Sequence, residues 1–378
     1  MFRSAVNIIF WINGFLYANW VSRLPRLQEL YGMDNGMLGL VLLAASIGAL
    51  LAMPFAGWVI VRNGSRQVTT ASTLILCLVI PFFTMLPTTL SLGVAFFAMG
   101  IVTGMMDVAM NAQAVLAEQQ LQKPIMASFH AIFSAGMMLG AANGALFVRL
   151  EYDLFTHLAL ACILCFFLAL FAIRHLMDDP RAAATGKEEE VLFRMPSRAL
   201  LGVGLIAFCC MLGEGAMSDW STNFMENIAL AEEAIAPLAL AAFSTAMMCG
   251  RFLGDRARTL LGDARLLLSG SLVATVGMGI VLGITHPWVA VIGFFVIGLG
   301  LATIVPIAYS VAGNTKGLAP GVGISMVTTI GYSGFLFGPP IIGFVADWQN
   351  LHLALFFVLI LFILMSIFSF RNYMGKKS

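Results

Sequence analysis

Apolar runs about twenty residues long recur along the whole of this chain, separated by short polar breaks. As a helix, a run of that length crosses the ~30 Å hydrocarbon core of a bilayer. Hydrocarbon offers no water to backbone N–H and C=O groups, so a spanning segment must satisfy them as a helix or in a closed barrel. Runs this continuous read as helices. Composition agrees: 60% of the 378 residues are hydrophobic and only 10% are charged, whereas soluble domains carry about 25% charged residues.

Twelve segments are long enough to span: 4–21, 36–61, 68–83, 90–116, 124–148 and 154–176, then 199–224, 235–253, 266–284, 289–312, 322–345 and 353–370. The first run, opening MFRSAVNIIFWINGF, lacks a small-residue cleavage site and reads as a spanning helix rather than a removable leader. The longest hydrophilic interval, 177–198, reads as a linker between an N-terminal six-helix bundle, 1–176, and a C-terminal one, 199–378. With both termini cytoplasmic, seventeen Lys and Arg residues fall on the inner side, and only Arg23, Arg26 and Arg149 on the outer. That is the asymmetry the positive-inside rule expects. Arg251, at the end of the run 235–253, and Arg256 and Arg258 beyond it are counted on the inner side here. A net charge of +1 gives no reason to expect a nucleic-acid partner.

The halves repeat at an offset near two hundred residues. Asn19-Trp20 aligns with Asp219-Trp220, Gly100-x-x-x-Gly104 with Gly298-x-x-x-Ala302, and Gly136-x-x-x-Gly140 with Gly334-x-x-x-Gly338. Small residues spaced by four let helix backbones approach closely. A duplicated bundle of this kind places a solute site near the midplane between the halves.

Ionisable residues inside the apolar runs are the candidate sites, because a lipid-facing charge costs several kcal/mol (roughly 3 for Asp at a helix centre). Asp107 and His130 lie in consecutive segments and read either as a proton-coupling pair or as a hydrogen bond locking two helices. Asn111 shares the Asp107 face, and Gln113 follows in the same run. Glu214 lies mid-segment. Asp219, five residues on, points about 140° away and reads as a solvated interfacial group or a solute contact beside Trp220. Asn13, Tyr17 and Trp20 share one face at i, i+4, i+7. Tyr309, Thr328 and Tyr332 add uncharged hydrogen-bonding groups, each of which would also serve to glue helices. Gly338-Pro339-Pro340 should break or bend its helix. The six cysteines all lie in apolar runs and suit packing. No metal or other cofactor is expected, and the absence of a G-x-x-x-x-G-K-[ST] loop argues against direct ATP drive.

Six-plus-six topology around a cytoplasmic linker resembles the major facilitator superfamily, whose signature after the second helix is G-x-x-x-D-R-x-G-x-R. Here Gly57, Arg62, Gly64 and Arg66 keep the pattern, and Val61 stands where the aspartate belongs. Gly250-Arg251-Phe252-Leu253-Gly254-Asp255-Arg256 is the second-half counterpart with altered spacing. The stretches SRLP, GMMDVAMN, SFHAIFSAG, SDW and GRFLGD resemble the narrower YbjJ-type bacterial inner-membrane branch, relatives of fucose-permease-like transporters. The resemblance implies an all-α membrane protein of two pseudo-symmetric six-helix bundles that moves a solute by alternating access. It also implies that the Gly57–Arg66 loop, with Asp255 and Arg256, gates the inner end, the family's latch carboxylate being absent.

The resulting expectation is a monomeric secondary transporter, not an enzyme, in the bacterial inner membrane. It would carry a small polar, sugar-like solute with protons, on Asp107, His130 and Glu214. Proton-driven efflux of amphipathic compounds, and a solute sensor without transport, are the alternatives.

Overall fold

A computed structural model gives the fold and describes residues 1–122, 125–178, 198–313, 315 and 320–375. Stretch 179–197 of the expected linker lies outside the described residues. Every regular element among those described is helical: α1 (Phe2–Val21), α2 (Leu24–Tyr31), α3 (Asn35–Asn63), α4 (Ser65–Val79), α5 (Thr89–Leu121), α6 (Met126–Arg149), α7 (Leu154–Ala172), α8 (Arg198–Asn227), α9 (Leu238–Leu261), α10 (Asp263–Gly283), α11 (Pro287–Leu301), α12 (Ile304–Gly313), α13 (Pro320–Trp348) and α14 (Leu351–Gly375), with short 3-10 turns after α4 and α7.

Ten helical spans among the described residues are long and apolar enough to cross a membrane. They are α3, α4 with its 3-10 extension, α5, α6, α7, α8, α10, the α11–α12 pair, α13 and α14. The remaining long helices are α1 and α9. Asn7, Asn13 and Asn19 interrupt α1, and the apolar part of α9 is only Leu238–Gly254.

Several boundaries differ from the sequence reading for identifiable reasons. The run 289–312 is not one helix: a turn at Ala302-Thr303 separates α11 from α12. The eighth run does not stop at residue 253; α9 continues to Leu261, so Arg256 and Arg258 also lie on the helix, and Arg251 is well inside it rather than at its end. The signature loop after the second run shrinks to Gly64, whose φ of 87° joins α3 to α4. Glycine adopts that backbone without steric cost. Pro339 and Pro340 lie inside α13, which continues through them. The short α2 falls where the sequence suggested only a connection. Its amphipathic run has proline in the first turn and Gly32, at φ 58°, as a left-handed C-cap.

The repeats seen in the sequence recur as packing. Gly100 of α5 backs onto the Ala45 carbonyl of α3, and Gly298 of α11 onto the Phe243 carbonyl of α9. Gly136 of α6 backs onto the Trp11 carbonyl of α1, and Gly334 of α13 onto the Phe208 carbonyl of α8. A methyl group at any of these glycines would drive into a neighbouring backbone. The same helix pairs are therefore welded by glycine in both halves of the chain.

Between the halves, α3 runs against α13 and α6 against α9. Close approaches on the first seam begin where α3 starts and α13 ends: Gly39 meets the Pro339 carbonyl, and Gly343 meets the Asn35 carbonyl. This extremity, which also carries α2, is called the α2 end below; the opposite one, at residues 62–66 and 178, is the linker end.

Candidate functional site

Polar side chains from both halves gather midway along the bundle. Asp107 of α5 accepts a hydrogen bond from the Asn13 amide of α1 at 2.9 Å. Asn111, one turn on, donates to the Asp107 backbone carbonyl at 2.8 Å. Tyr332 of α13 lies within electrostatic reach of Asp107 in one half and of Tyr309 and Glu214 in the other. Tyr309 of α12 lies within electrostatic reach of Thr328 of α13 and of Glu214. Asp107, Asn111, Glu214, Tyr309, Thr328 and Tyr332 are all partly accessible. Against a bundle interior packed largely with Phe, Leu, Ile and Ala, that combination marks a polar, partly accessible centre.

Glu214 of α8 pairs with Arg251 of α9 at 3.0 Å, the two side chains being 20% and 15% exposed. The same guanidinium donates to the Ser134 hydroxyl of α6 at 2.7 Å, so one cation links the halves. Sequence reasoning missed Arg251 because its place at the end of an apolar run suggests a cytoplasmic loop. The signal was present: a carboxylate in mid-helix needs a counter-charge, and Arg251 lies nearest the apolar part of its run. His130 does not pair with Asp107. Its ring meets Phe10 edge-on, with centroids 5.4 Å apart, and it lies within reach of Arg251. Helix α5 contacts α1 and α3 more than α6, so Asn13, not His130, reaches the Asp107 carboxylate.

Tyr17 and Asp219 form a second cross-half contact, a 3.0 Å hydrogen bond between α1 and α8. Asp219 is therefore not a solvated interfacial group; it is 8% exposed and bonded across the seam. As the helical geometry required, it and Glu214 serve different contacts. Trp220 is fully buried, and Trp20 packs edge-on against Tyr17 and Phe96, so both tryptophans act here as packing. Gln113 is likewise structural, tying Ser65 at 2.7 Å and the Met177 carbonyl at 2.8 Å.

The α2 end is closed by further polar contacts between halves. Arg26 reaches Glu233 at 2.6 Å, Asn223 donates to Gln28 at 3.1 Å, and the Asp347 carboxylate accepts the backbone N–H groups of Asn35 and Gly36. Behind it, the buried His157 ring contacts Asn19 at 2.8 Å and Asn143 at 3.3 Å within the first half, a network the sequence reading did not pick out. At the linker end, Arg62 engages its own helix and Arg66 the first residues of the linker interval. Arg62 lies over the Trp58 ring, 4.0 Å from its centroid, and Arg66 bridges to Asp178 at 3.0 Å. Gly57 is exposed, with nothing near the position a Cβ would take. Arg256 is exposed, and the Asp255 side chain lies outside the described residues.

No group of three or more His, Cys, Asp or Glu among the described residues could hold a metal ion. The cysteines are free, five of them buried and Cys249 half-buried.

Comparison with known proteins fits this architecture. Residues 6–320 match the Major Facilitator Superfamily. An uncharacterized MFS-type transporter of Yersinia pestis is 33% identical over 93% of this chain and 91% of its own length. Membrane protein MosC of Rhizobium meliloti is 32% identical over 94% and 86% of the two chains. Among solved structures, a point mutant of the nucleoside transporter NupG superposes with a TM-score of 0.80 at 11% identity, over 98% of this chain and 99% of that one. A bacterial homolog of the human lysosomal transporter Spinster, inward-facing and unoccupied, gives 0.71 at 13% identity, over 98% and 96%. At such identities the structural likeness speaks to fold alone, whereas the sequence matches define descent. A chain with these spans, this seam and these relatives belongs to the major facilitator superfamily, a family of membrane transporters and not of enzymes.

Proposed function

We propose that this chain is a proton-coupled secondary transporter that moves a small polar, sugar-like solute across the bacterial inner membrane by alternating access. In this reading α1 and α9 complete twelve crossings, both termini are cytoplasmic, and residues 1–176 and 199–378 are bundles that rock about the central site as a monomer. The resemblance to the YbjJ-type branch belongs to the same reading. The observation that carries it is the polar centre shared by the halves, with Asp107 from the first and Glu214, Arg251, Tyr309 and Tyr332 from the second.

Asn13, Asn111, Tyr309, Thr328 and Tyr332 offer both donors and acceptors, which suits a ring bearing hydroxyls. A binding centre at mid-depth, reached alternately from each side, is the arrangement that lets bundle rocking carry a solute. Asp107 is the favoured proton carrier. Its bonded partner is the neutral Asn13 amide, so a proton joins or leaves without breaking an ion pair. The test is purified protein in liposomes, challenged with sugars and nucleosides, with and without an imposed pH gradient. Faster uptake of one solute under the gradient, lost in Asp107→Asn, supports the reading. A transported solute indifferent to the gradient removes the proton.

A further inference from the structure

We infer that Asp347 is the residue that holds the α2 end shut, by capping the first turn of a helix that belongs to the other half. The inference rests on the alternating-access reading above.

The first four N–H groups of any helix have no intrahelical acceptor. At α3 three of them, those of Asn35, Gly36 and Met37, are divided between two carboxylates. Asp34, in the same half, accepts from Met37 N–H at 2.7 Å, as an ordinary N-cap does. Asp347, from the far end of α13, accepts from Asn35 N–H at 2.9 Å and from Gly36 N–H at 2.5 Å, one carboxylate oxygen to each. A negative charge on a helix N-terminus is favoured by the aligned peptide dipoles as well as by the two bonds. Glycine at position 36 makes this possible, since a Cβ there would sit 2.6 Å from the Asp347 oxygen. Immediately behind, Gly343 packs on the Asn35 carbonyl, so the two backbones are already in contact where the carboxylate docks.

No such cross-half bond stands at the other extremity of α3 among the described residues. The position where the family signature carries aspartate is Val61, and Arg62 lies over its own helix's Trp58. One end of α3 is thus latched by a carboxylate from the opposite half, and the other lacks its carboxylate. The latch keeps the α2 end closed in the resting protein, and opening that end requires Asp347 to leave two N–H groups to water. Asp347 is a positioning residue: it touches no solute and acts through α3.

The experiment measures distances between paired spin labels in the full-length protein in lipid nanodiscs, with Cys249→Ser as background. Leu30→Cys with Leu230→Cys reports the α2 end, and Asn63→Cys with Leu260→Cys the linker end. The expected result is a mostly short α2-end distance. Asp347→Ala and Asp347→Asn should shift the ratio of open to closed molecules at that end by about tenfold, with the opposite change at the linker end. Gly36→Ala, which displaces the carboxylate, should move both distances the same way. Asp34→Ala, which removes only the helix's own cap, should lower thermal stability and leave the distribution in place. Unchanged distributions in both Asp347 variants would overturn the latch. So would an equal shift in Asp34→Ala, which would make Asp347 an ordinary cap. If neither pair shows a second distance in any variant between pH 5 and pH 8, the alternating-access reading falls with it.

Discussion

Asp107 and Glu214 are the two mid-bundle carboxylates, one from each half, and they are held differently. Asp107 is bonded to a neutral amide, Asn13, 2.9 Å away. Glu214 faces a cation, Arg251, at 3.0 Å. A proton arriving at Glu214 would strip a mostly buried guanidinium of its counter-charge, an expensive event in a low-dielectric interior. A proton arriving at Asp107 strips nothing. On the proposed proton-coupled reading, carrying falls to the first half and holding to the second. Two carboxylates in corresponding mid-helix positions thus have different partners, a neutral amide and a cation, and on this reading the partner decides what each one does.

The largest expected effect separates these roles. Asp107→Asn should cost about a hundredfold or more in gradient-driven uptake, the scale of losing a proton-transfer group. Solute exchange with equal pH on both sides should persist. If Asp107→Asn keeps its gradient response, the assignment is reversed. Next in size is Arg251→Gln, which leaves Glu214 without its cation and should destabilise the protein by roughly 3–5 kcal/mol, read as a fall in melting temperature. Adding Glu214→Gln to that variant should restore much of the loss, because both members of the pair are then neutral. Additive losses would show that the two side chains act independently and would break the holding half of the comparison.

Much of this arrangement is legible in the sequence, and the missing parts have a common cause. Helix-length apolar runs are set by bilayer thickness, so most spans can be read off directly. Glycine spacing exposes the welded pairs α5–α3, α11–α9, α6–α1 and α13–α8, because close backbone contact tolerates no side chain there. The i, i+4 spacing places Asn13 and Tyr17 on one face, and both do reach polar partners on other helices. Which partners they reach is not legible. Consecutive segments suggest pairing Asp107 with His130, whereas α5 packs on α1 and α3. Arg251 is easily misplaced because a charged residue near the end of an apolar run looks like a loop residue until its helix is seen to continue to Leu261. Asp347 bonds α3 from more than three hundred residues away, and no local pattern announces such a contact.

A smaller effect is expected where the seam is held by one hydrogen bond. Tyr17→Phe removes the donor to Asp219, which is 8% exposed, and leaves a buried acceptor unpaired. The cost should be about 1–3 kcal/mol in thermal stability. Asp219→Asn keeps an acceptor for the tyrosine and should cost less. If Asp219→Asn abolishes gradient-driven uptake as fully as Asp107→Asn does, then a carboxylate bonded to a neutral partner in the second half also carries protons, and the division of labour between halves fails.

The smallest effect should come from the ion pair at the rim of the α2 end. Arg26 and Glu233 are 31% and 38% exposed, so water screens the pair even at 2.6 Å. Arg26→Gln should change stability by less than about 1 kcal/mol, and that small change should vanish in high salt. Its value lies in what it isolates. Arg26 and Asp347 both close the same end, one through an exposed ion pair and the other through two backbone N–H groups at a helix terminus. If Arg26→Gln opened the α2 end as far as Asp347→Ala, the closure would be a matter of net charge at the rim. If only Asp347→Ala opens it, the geometry of the helix cap is what holds the two halves together there.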